Sequence, residues 1–421
     1  MRRIAFYSYD EHGLGHVRRS IAIAHALSAA APASILLIAG AREAALFHLP
    51  EGTDTLALPA PSTDFNGDRR GPSTGLDVAG TVRMRARTLR NALAAYRPDV
   101  LVVDRLALGV HEELAASLGV LREMGTRLVL GLREVIADPA AVRAEWDRTG
   151  ALDVLRRSYD AIWVYGDPRV FDPAAEYDMP ADLRAMVRYT GYLDRRTAAP
   201  ATGADLAARR RDLRLPDGRL ALCVLGGGED GHRLAEAFAR ATLPAGATAV
   251  VVAGPFMDDD ERAALHALAA GRHDLMVLDF VADADALIAL ADDVVAMGGY
   301  NTVCEALSSG TRTLIVPRAG PSREQVIRAQ RLSELGALDM LAPERLSAAA
   351  LSTWLAAGGR DARRAPRGPI DMGGLRRVPA LLDDLLAAPR RPFAERSAAT
   401  PSRRFTHTSP APATTTGSVS A

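Results

Sequence analysis

Short apolar runs alternate with amphipathic stretches along most of the chain, and most runs close on Gly, Asp or Pro. That rhythm predicts parallel strands buried on both faces and joined by crossover helices. In the first half the strand-like runs cover residues 4–8, 34–39, 100–103, 127–130 and 161–164, with helices between them such as 17–29. In the second they cover 220–225, 249–253, 275–278, 293–297 and 313–316, each followed by a helical pattern. The fold class is therefore α/β: two Rossmann-like doubly wound parallel-sheet domains facing across a cleft, with ligands expected at the strands' C-terminal ends. The pattern divides the chain into a first domain at 1–195, an Arg-rich linker at 196–217, a second domain at 218–387 and a disordered tail at 388–421. From Pro389 the tail is Pro, Ser, Thr and Ala with five Arg against one acid. Residues 60–76, rich in Pro, Gly, Ser, Asp and Asn, read as one long surface loop.

Composition narrows the function classes. Basic and acidic residues number 51 each in 421 residues, which removes any whole-chain electrostatic case for nucleic acid. The two cysteines, Cys223 and Cys304, exclude a disulfide scaffold and a Cys-based zinc site and point to a reducing cytoplasm. No run approaches the ~20 apolar residues of a membrane span, and the N-terminus has no signal-peptide core. The expectation is a soluble cytoplasmic protein, with peripheral contact at the inner face of the membrane left open.

The first strand runs into Asp10-Glu-His-Gly-Leu-Gly-His16 and then a helix. Glycines there let backbone approach a ligand, and a helix start favours negative charge. A dinucleotide site would want a glycine where Arg18 stands and an acid near Ala39, so this is not an NAD turn. A helix N-terminus keeps an imidazole neutral, which suits His16 as a general base; a histidine that merely hydrogen-bonds the turn fits the same spacing. The matching turn of the second half, Gly226-Gly-Gly-Glu-Asp-Gly231, is either a backbone-lined phosphate cradle or a tight ligand-free turn. It lacks the Lys and Ser or Thr of a P-loop. In Met297-Gly-Gly-Tyr-Asn-Thr-Val-Cys-Glu305, Thr302 and Glu305 fit a capping box opening a helix near Thr302; the carboxylate is equally placed to accept a ribose diol. Asp258 to Asp260 and Asp283 to Asp285 fall where helices begin and read as caps, so no metal is expected. Arg83, Arg87 and Arg90 share one helix face, either solvated or phosphate-reading.

Together, the two glycine turns and the Gly-Tyr-Asn-Thr-Val-x-Glu helix resemble nucleotide-sugar glycosyltransferases with the two-domain GT-B fold. The likeness is to the family 28 type, the branch around the peptidoglycan lipid II N-acetylglucosaminyltransferase, and to its set of predicted bacterial glycosyltransferases. It spans about residues 1–387 and is strongest at 13–27 and 279–336. The resemblance implies an N-terminal acceptor domain, a C-terminal donor domain and metal-independent inverting transfer from a UDP-sugar, with no cofactor beyond that co-substrate. It implies that His16 deprotonates the acceptor, that Gly226, Gly227, Gly228 and Gly231 wrap the diphosphate, and that Phe280 and Val281 receive the base. Gly299, Asn301, Thr302 and Glu305 would hold the rest of the nucleotide, Glu305 at the ribose diol, and Glu324 and Gln325 would meet the sugar. The lipid II enzyme looks more like Arg-Gln-Gln followed by an Asn where Arg328 stands, so the likeness implies a UDP-sugar more firmly than N-acetylglucosamine. The acceptor, lipid-linked or a polysaccharide, is expected against Gly13, Gly15, Arg83, Arg87 and Glu134, in keeping with a cell-envelope role. The opening Gly13-Leu-Gly-His-Val-Arg-Arg19 also resembles the nucleotide-sugar hydrolase of the pseudaminic acid pathway, which makes hydrolysis the alternative. A non-catalytic binding protein for a nucleotide-sugar or a membrane partner is a third reading.

Overall fold

A computed structural model describes residues 1–8, 15–40, 47–59, 75–197, 203–281, 284–318, 320, 322–358 and 370–390. Gly13, most of the 60–76 loop and the tail from residue 391 lie outside the described residues. Met1–Arg390 forms one compact unit. No helix among the described residues is long and apolar enough to cross a membrane.

The first sheet contains β1 (Arg2–Tyr7), β2 (Ala33–Ala39), β3 (Thr53–Ala57), β4 (Val100–Asp104), β5 (Arg127–Arg133), β6 (Ala161–Tyr165) and β7 (Val187–Tyr189), in the order β3-β2-β1-β4-β5-β6-β7. The second contains β8 (Arg219–Val224), β9 (Ala247–Val252), β10 (Leu275–Leu278), β11 (Asp293–Ala296), β12 (Arg312–Ile315) and β13 (Asp339–Met340), in the order β10-β9-β8-β11-β12-β13. Every pairing in both sheets is parallel. Each residue of β4 and β6 is buried, the physical reason those runs are apolar without alternation. The strands that the pattern leaves out are β3, β7 and β13, edge strands that are short or largely exposed and so carry little apolar signal.

Strand order reverses at β1 in one sheet and at β8 in the other, so each has its crevice where the chain leaves those strands. The helix Gly15–Ala30 and the glycine turn after β8 sit there. One apolar cluster runs through both lobes, and the rings of Tyr192 and Tyr300 stack within it at 6.0 Å.

Two parts of the chain depart from the expected domain plan. Inside the expected linker, Gly203–Asp212 is a helix packed on the Ala284–Leu290 helix of the second lobe. The last helix among the described residues, Gly374–Ala387, belongs by chain position to the second domain but packs on Gly15–Ala30 of the first. Backbone bonds bring it there: Tyr192 N donates to Asp371 O at 2.7 Å and Gly374 N to Tyr192 O at 3.0 Å.

Candidate active site in the interlobe cleft

The two crevices open into one cavity of about 300 Å³. Gly15 and His16 line it from the first lobe; Gly226, Gly227, Gly228, Phe280, Val281, Gly299, Asn301, Thr302, Glu305, Glu324 and Gln325 line it from the second. Residues far apart in sequence thus share one wall-to-wall site.

His16 lies in the first turn of Gly15–Ala30 and is 7% exposed. Its Nδ1 hydrogen-bonds Asp104 at the end of β4, and Arg19 donates to both Asp104 oxygens at 2.7 Å. Burial lowers the His16 pKa to about 4, with Asp104 pulling the other way. Burial alone would raise Asp104, but Arg19 and His16 hold it below the usual carboxylate range. Arg19 Nη2 also stands 2.8 Å from Nδ1, but an ionised Asp104 can only accept, so we assign the ring proton to Nδ1 and the lone pair of the neutral imidazole to Nε2.

The helix carrying Glu305 spans Tyr300–Ser309, and its N-cap is Gly299, with no side-chain cap bond. It therefore opens two residues before Thr302, which stands in its third position, and the capping box is not formed. Glu305, 5% exposed, accepts from Arg18 at 3.0 Å and Arg195 at 3.2 Å through Oε1. Its Oε2 is buried without a hydrogen-bond partner. Burial raises its pKa against the pull of those two guanidiniums. A buried acceptor atom left open in this way is costly, and it suits a ligand hydroxyl.

The glycine turn is shaped by backbone constraint. Gly228 has φ +97°, and a Cβ there would come 2.4 Å from Ala253 O. Phe256 N donates to Gly227 O at 2.9 Å, and Asp230 pairs with Arg318 at 3.0 Å. Gly231 stands apart from the cavity lining. A Cβ on it would meet Leu225 Cβ at 2.8 Å, so this glycine serves close packing of turn on strand.

Other expected residues are already engaged. Asn301 Nδ2 donates across the cleft to Gly15 O at 3.0 Å. Glu324 pairs with Arg133 at 2.7 Å, and Gln325 Oε1 accepts from Arg318 N at 3.1 Å. Phe280 is 43% exposed, an apolar face open to a flat ligand ring, with Phe47 of the first lobe in the same cavity. Asp258 caps its helix by accepting from Asp260 N at 2.9 Å. Both cysteines are buried thiols, and burial pushes Cys304 up to about 12.

Three residues expected at the acceptor lie outside the cavity lining. Glu134 is wholly buried and bound to Arg328, outside the cavity lining. Arg83 and Arg87 sit on the exposed face of Val78–Tyr96, and neither lines the cavity. The structure brings in instead Arg18, Arg19, Arg105, Arg133 and Phe47, with Asp104 behind His16. A charged residue directly ending an apolar strand run, as in Val-Leu-Val-Val-Asp104 and Leu-Gly-Leu-Arg133, was the available signal.

Comparison with known proteins follows the same lines. Residues 222–365 match the glycosyltransferase family 28 C-terminal domain. No curated protein sequence matches the chain significantly. Among solved structures the chain is similar to Acinetobacter baumannii MurG, with 15% identity, 91% of this chain and 100% of that one covered, and a TM-score of 0.56. It is also similar to Arabidopsis thaliana UGT89C1 complexed with UDP (13%, 92% and 100%, TM-score 0.59). The UDP-GlcNAc 2-epimerase from Neisseria meningitidis bound to UDP-GlcNAc gives 13%, 92% and 99%, with a TM-score of 0.59. At these identities the structures share the fold, which is GT-B.

Proposed function

Taking as premise a GT-B chain that carries a glycosyltransferase family 28 C-terminal domain, we propose that the cleft moves a sugar from a UDP-sugar to an acceptor hydroxyl with inversion. The observation that carries this reading is the His16–Asp104 pair facing the Gly226-Gly227-Gly228 turn across one cavity. In a single displacement the acceptor oxygen bonds the anomeric carbon as the bond from that carbon to the diphosphate oxygen breaks. The acceptor proton passes to His16 Nε2, and Asp104 stabilises the imidazolium that forms. The electron pair leaves on the diphosphate, whose charge is met by the glycine turn, the start of Tyr300–Ser309 and Arg318, so the step needs no metal. Glu305 Oε2 accepts from the ribose diol, and Phe280 lies against the base. One attack from the face opposite the leaving group inverts the anomeric centre.

Burial of His16 favours a second reading, hydrolysis, because water reaches a nearly enclosed base more easily than a large acceptor. Incubating the purified chain with UDP-glucose, UDP-N-acetylglucosamine and UDP-glucuronate, then following UDP and free sugar, separates the two. UDP release that depends on added acceptor supports transfer. Equal release of UDP and free sugar without acceptor supports hydrolysis, and no release from any donor overturns both.

A further inference from the structure

The first turns of Gly15–Ala30 carry two successive arginines that go different ways. Arg18 reaches the second lobe at Glu305, while Arg19, one turn after His16, folds back on the base. Arg19 is 3% exposed, and its Nη2 stands 2.7 Å from both oxygens of Asp104 and 2.8 Å from His16 Nδ1. That nitrogen carries two hydrogens and meets these three neighbours. Both carboxylate oxygens can only accept, so both hydrogens go to Asp104 and Nδ1 receives none. Aromatic rings wall the guanidinium on both lobes: its carbon lies 5.7 Å from the ring of Tyr165, at the end of β6, and 5.5 Å from that of Tyr300.

A buried carboxylate asks for a cation beside it, wherever that cation stands. This one stands against the ring nitrogen whose proton decides whether Nε2 can accept another. We propose that Arg19 is a positioning residue for the base: its hold on both oxygens keeps Asp104 a pure acceptor, which fixes the imidazole proton on Nδ1 and leaves Nε2 to take the next one. The part played by the base rests on the functional reading above; the control of the imidazole's tautomer and charge does not.

The groups around the ring give the sign of the effect. Burial lowers His16, Asp104 raises it, and Arg19 and Arg133 lower it further. Arg133, at the end of β5, is itself paired with Glu324. Burial pushes the phenols of Tyr165 and Tyr300 up, so both stay neutral in acid. Without Arg19 the ring loses a like charge, and Asp104 loses the cation that holds it low. The pair then takes up its proton at higher pH, whichever of the two groups carries it.

The test is NMR of the full chain with ring-nitrogen-labelled histidine, His16 being assigned by the signals lost in His16→Ala. Wild type should show the proton on Nδ1 and a neutral ring down to about pH 4. Arg19→Met should raise the protonation of His16 by about one pH unit or more and the acidic limb of kcat/KM with it, leaving UDP affinity within about twofold. Arg19→Lys, which keeps the charge, should stay within about half a unit of wild type. Arg19→Gln, whose amide can still donate to Asp104, should move His16 in the same direction as Arg19→Met and serves if that variant does not fold. An unmoved His16 titration in the neutral variants, or a wild-type ring protonated on Nε2, would overturn the proposal and leave Arg19 a counter-ion of Asp104. Wild type that releases no UDP from any UDP-sugar would sink the functional reading instead, with the NMR result standing.

Discussion

Arg328 of the Glu324–Glu334 helix and Glu134, just past β5, form an ion pair across the lobes with Nε to Oε1 at 2.7 Å and neither side chain exposed. Tyr192 Oη also donates to Glu134 at 2.9 Å, and Arg328 donates to the carbonyls of Gly298 and Val135 at 3.2 Å. The guanidinium thus joins the second lobe's Gly298 to the first lobe's strand end. Removing one charge strands the other in a fully buried position. Glu134→Ala should cost about 3–5 kcal/mol of stability. The double variant Glu134→Ala, Arg328→Met should recover part of that loss. Denaturant melts of the two single variants and the double one decide it, and wild-type stability in Glu134→Ala would show that the pair holds nothing together.

Glu305 offers a contrast with Thr302 that separates ligand binding from helix capping. The helix opens at Tyr300 behind Gly299, so Thr302→Ala should leave thermal stability nearly unchanged, without the roughly 0.5–2 kcal/mol typical of a lost cap. Glu305→Gln should weaken UDP binding by about 1.5–3 kcal/mol, the range for hydrogen bonds to a charged partner. UDP titrations alongside melts give both numbers. Unaltered UDP affinity in Glu305→Gln would return the carboxylate to a purely internal role with Arg18 and Arg195.

What the sequence discloses and what it hides have distinct physical causes. Strands such as β4 and β9 are buried on both faces, so their apolar runs stand out without alternation. The glycine turns are equally legible, because positions such as Gly228 admit no Cβ. Asp104 and Arg133 are different: each is a single charged residue ending a strand, and its partner lies elsewhere, at His16 or Glu324. Pairing across that distance is decided by strand order, which periodicity does not report. The same reason explains Glu134, whose place beside a strand end suggested the cleft while its side chain turned inward to Arg328. The Thr302 assignment failed on a boundary shift of two residues, enough to move a cap into the first turn.

The exposed arginines of Val78–Tyr96 give a prediction of no effect. Arg83 and Arg87 face solvent on one side of that helix and do not line the cavity. Replacing both with Ala should leave acceptor KM and donor KM within about twofold, and stability within the ±0.5 kcal/mol usual for surface changes. A clear rise in acceptor KM in steady-state kinetics would place acceptor contacts on this helix after all.

The His16–Asp104 pair predicts both a rate loss and a pH profile. His16→Ala should lower kcat by about 10²- to 10⁴-fold, as for a positioned general base, with UDP affinity within a few-fold. Asp104→Asn should also lower kcat, because the amide can turn its NH2 to Nδ1 and favour the other tautomer and no longer carries the charge that stabilises the imidazolium, while donor binding stays near wild type. Burial has moved His16 from its ordinary 6.5 to about 4 in the folded chain. The base therefore stays neutral well below pH 6.5, and the acidic limb of kcat/KM should fall near pH 4. Stability runs in the same direction. Between 6.5 and about 4 the unfolded chain takes up the proton that folded His16 refuses, so this group destabilises the fold as pH drops through that window. His16→Ala should remove that part of the acid sensitivity. UDP release measured across pH, with melts of wild type and His16→Ala at matched pH, tests both halves. An acidic limb near 6.5 would mean that the cleft hydrates His16 during turnover, and full activity in His16→Ala would remove it as the base.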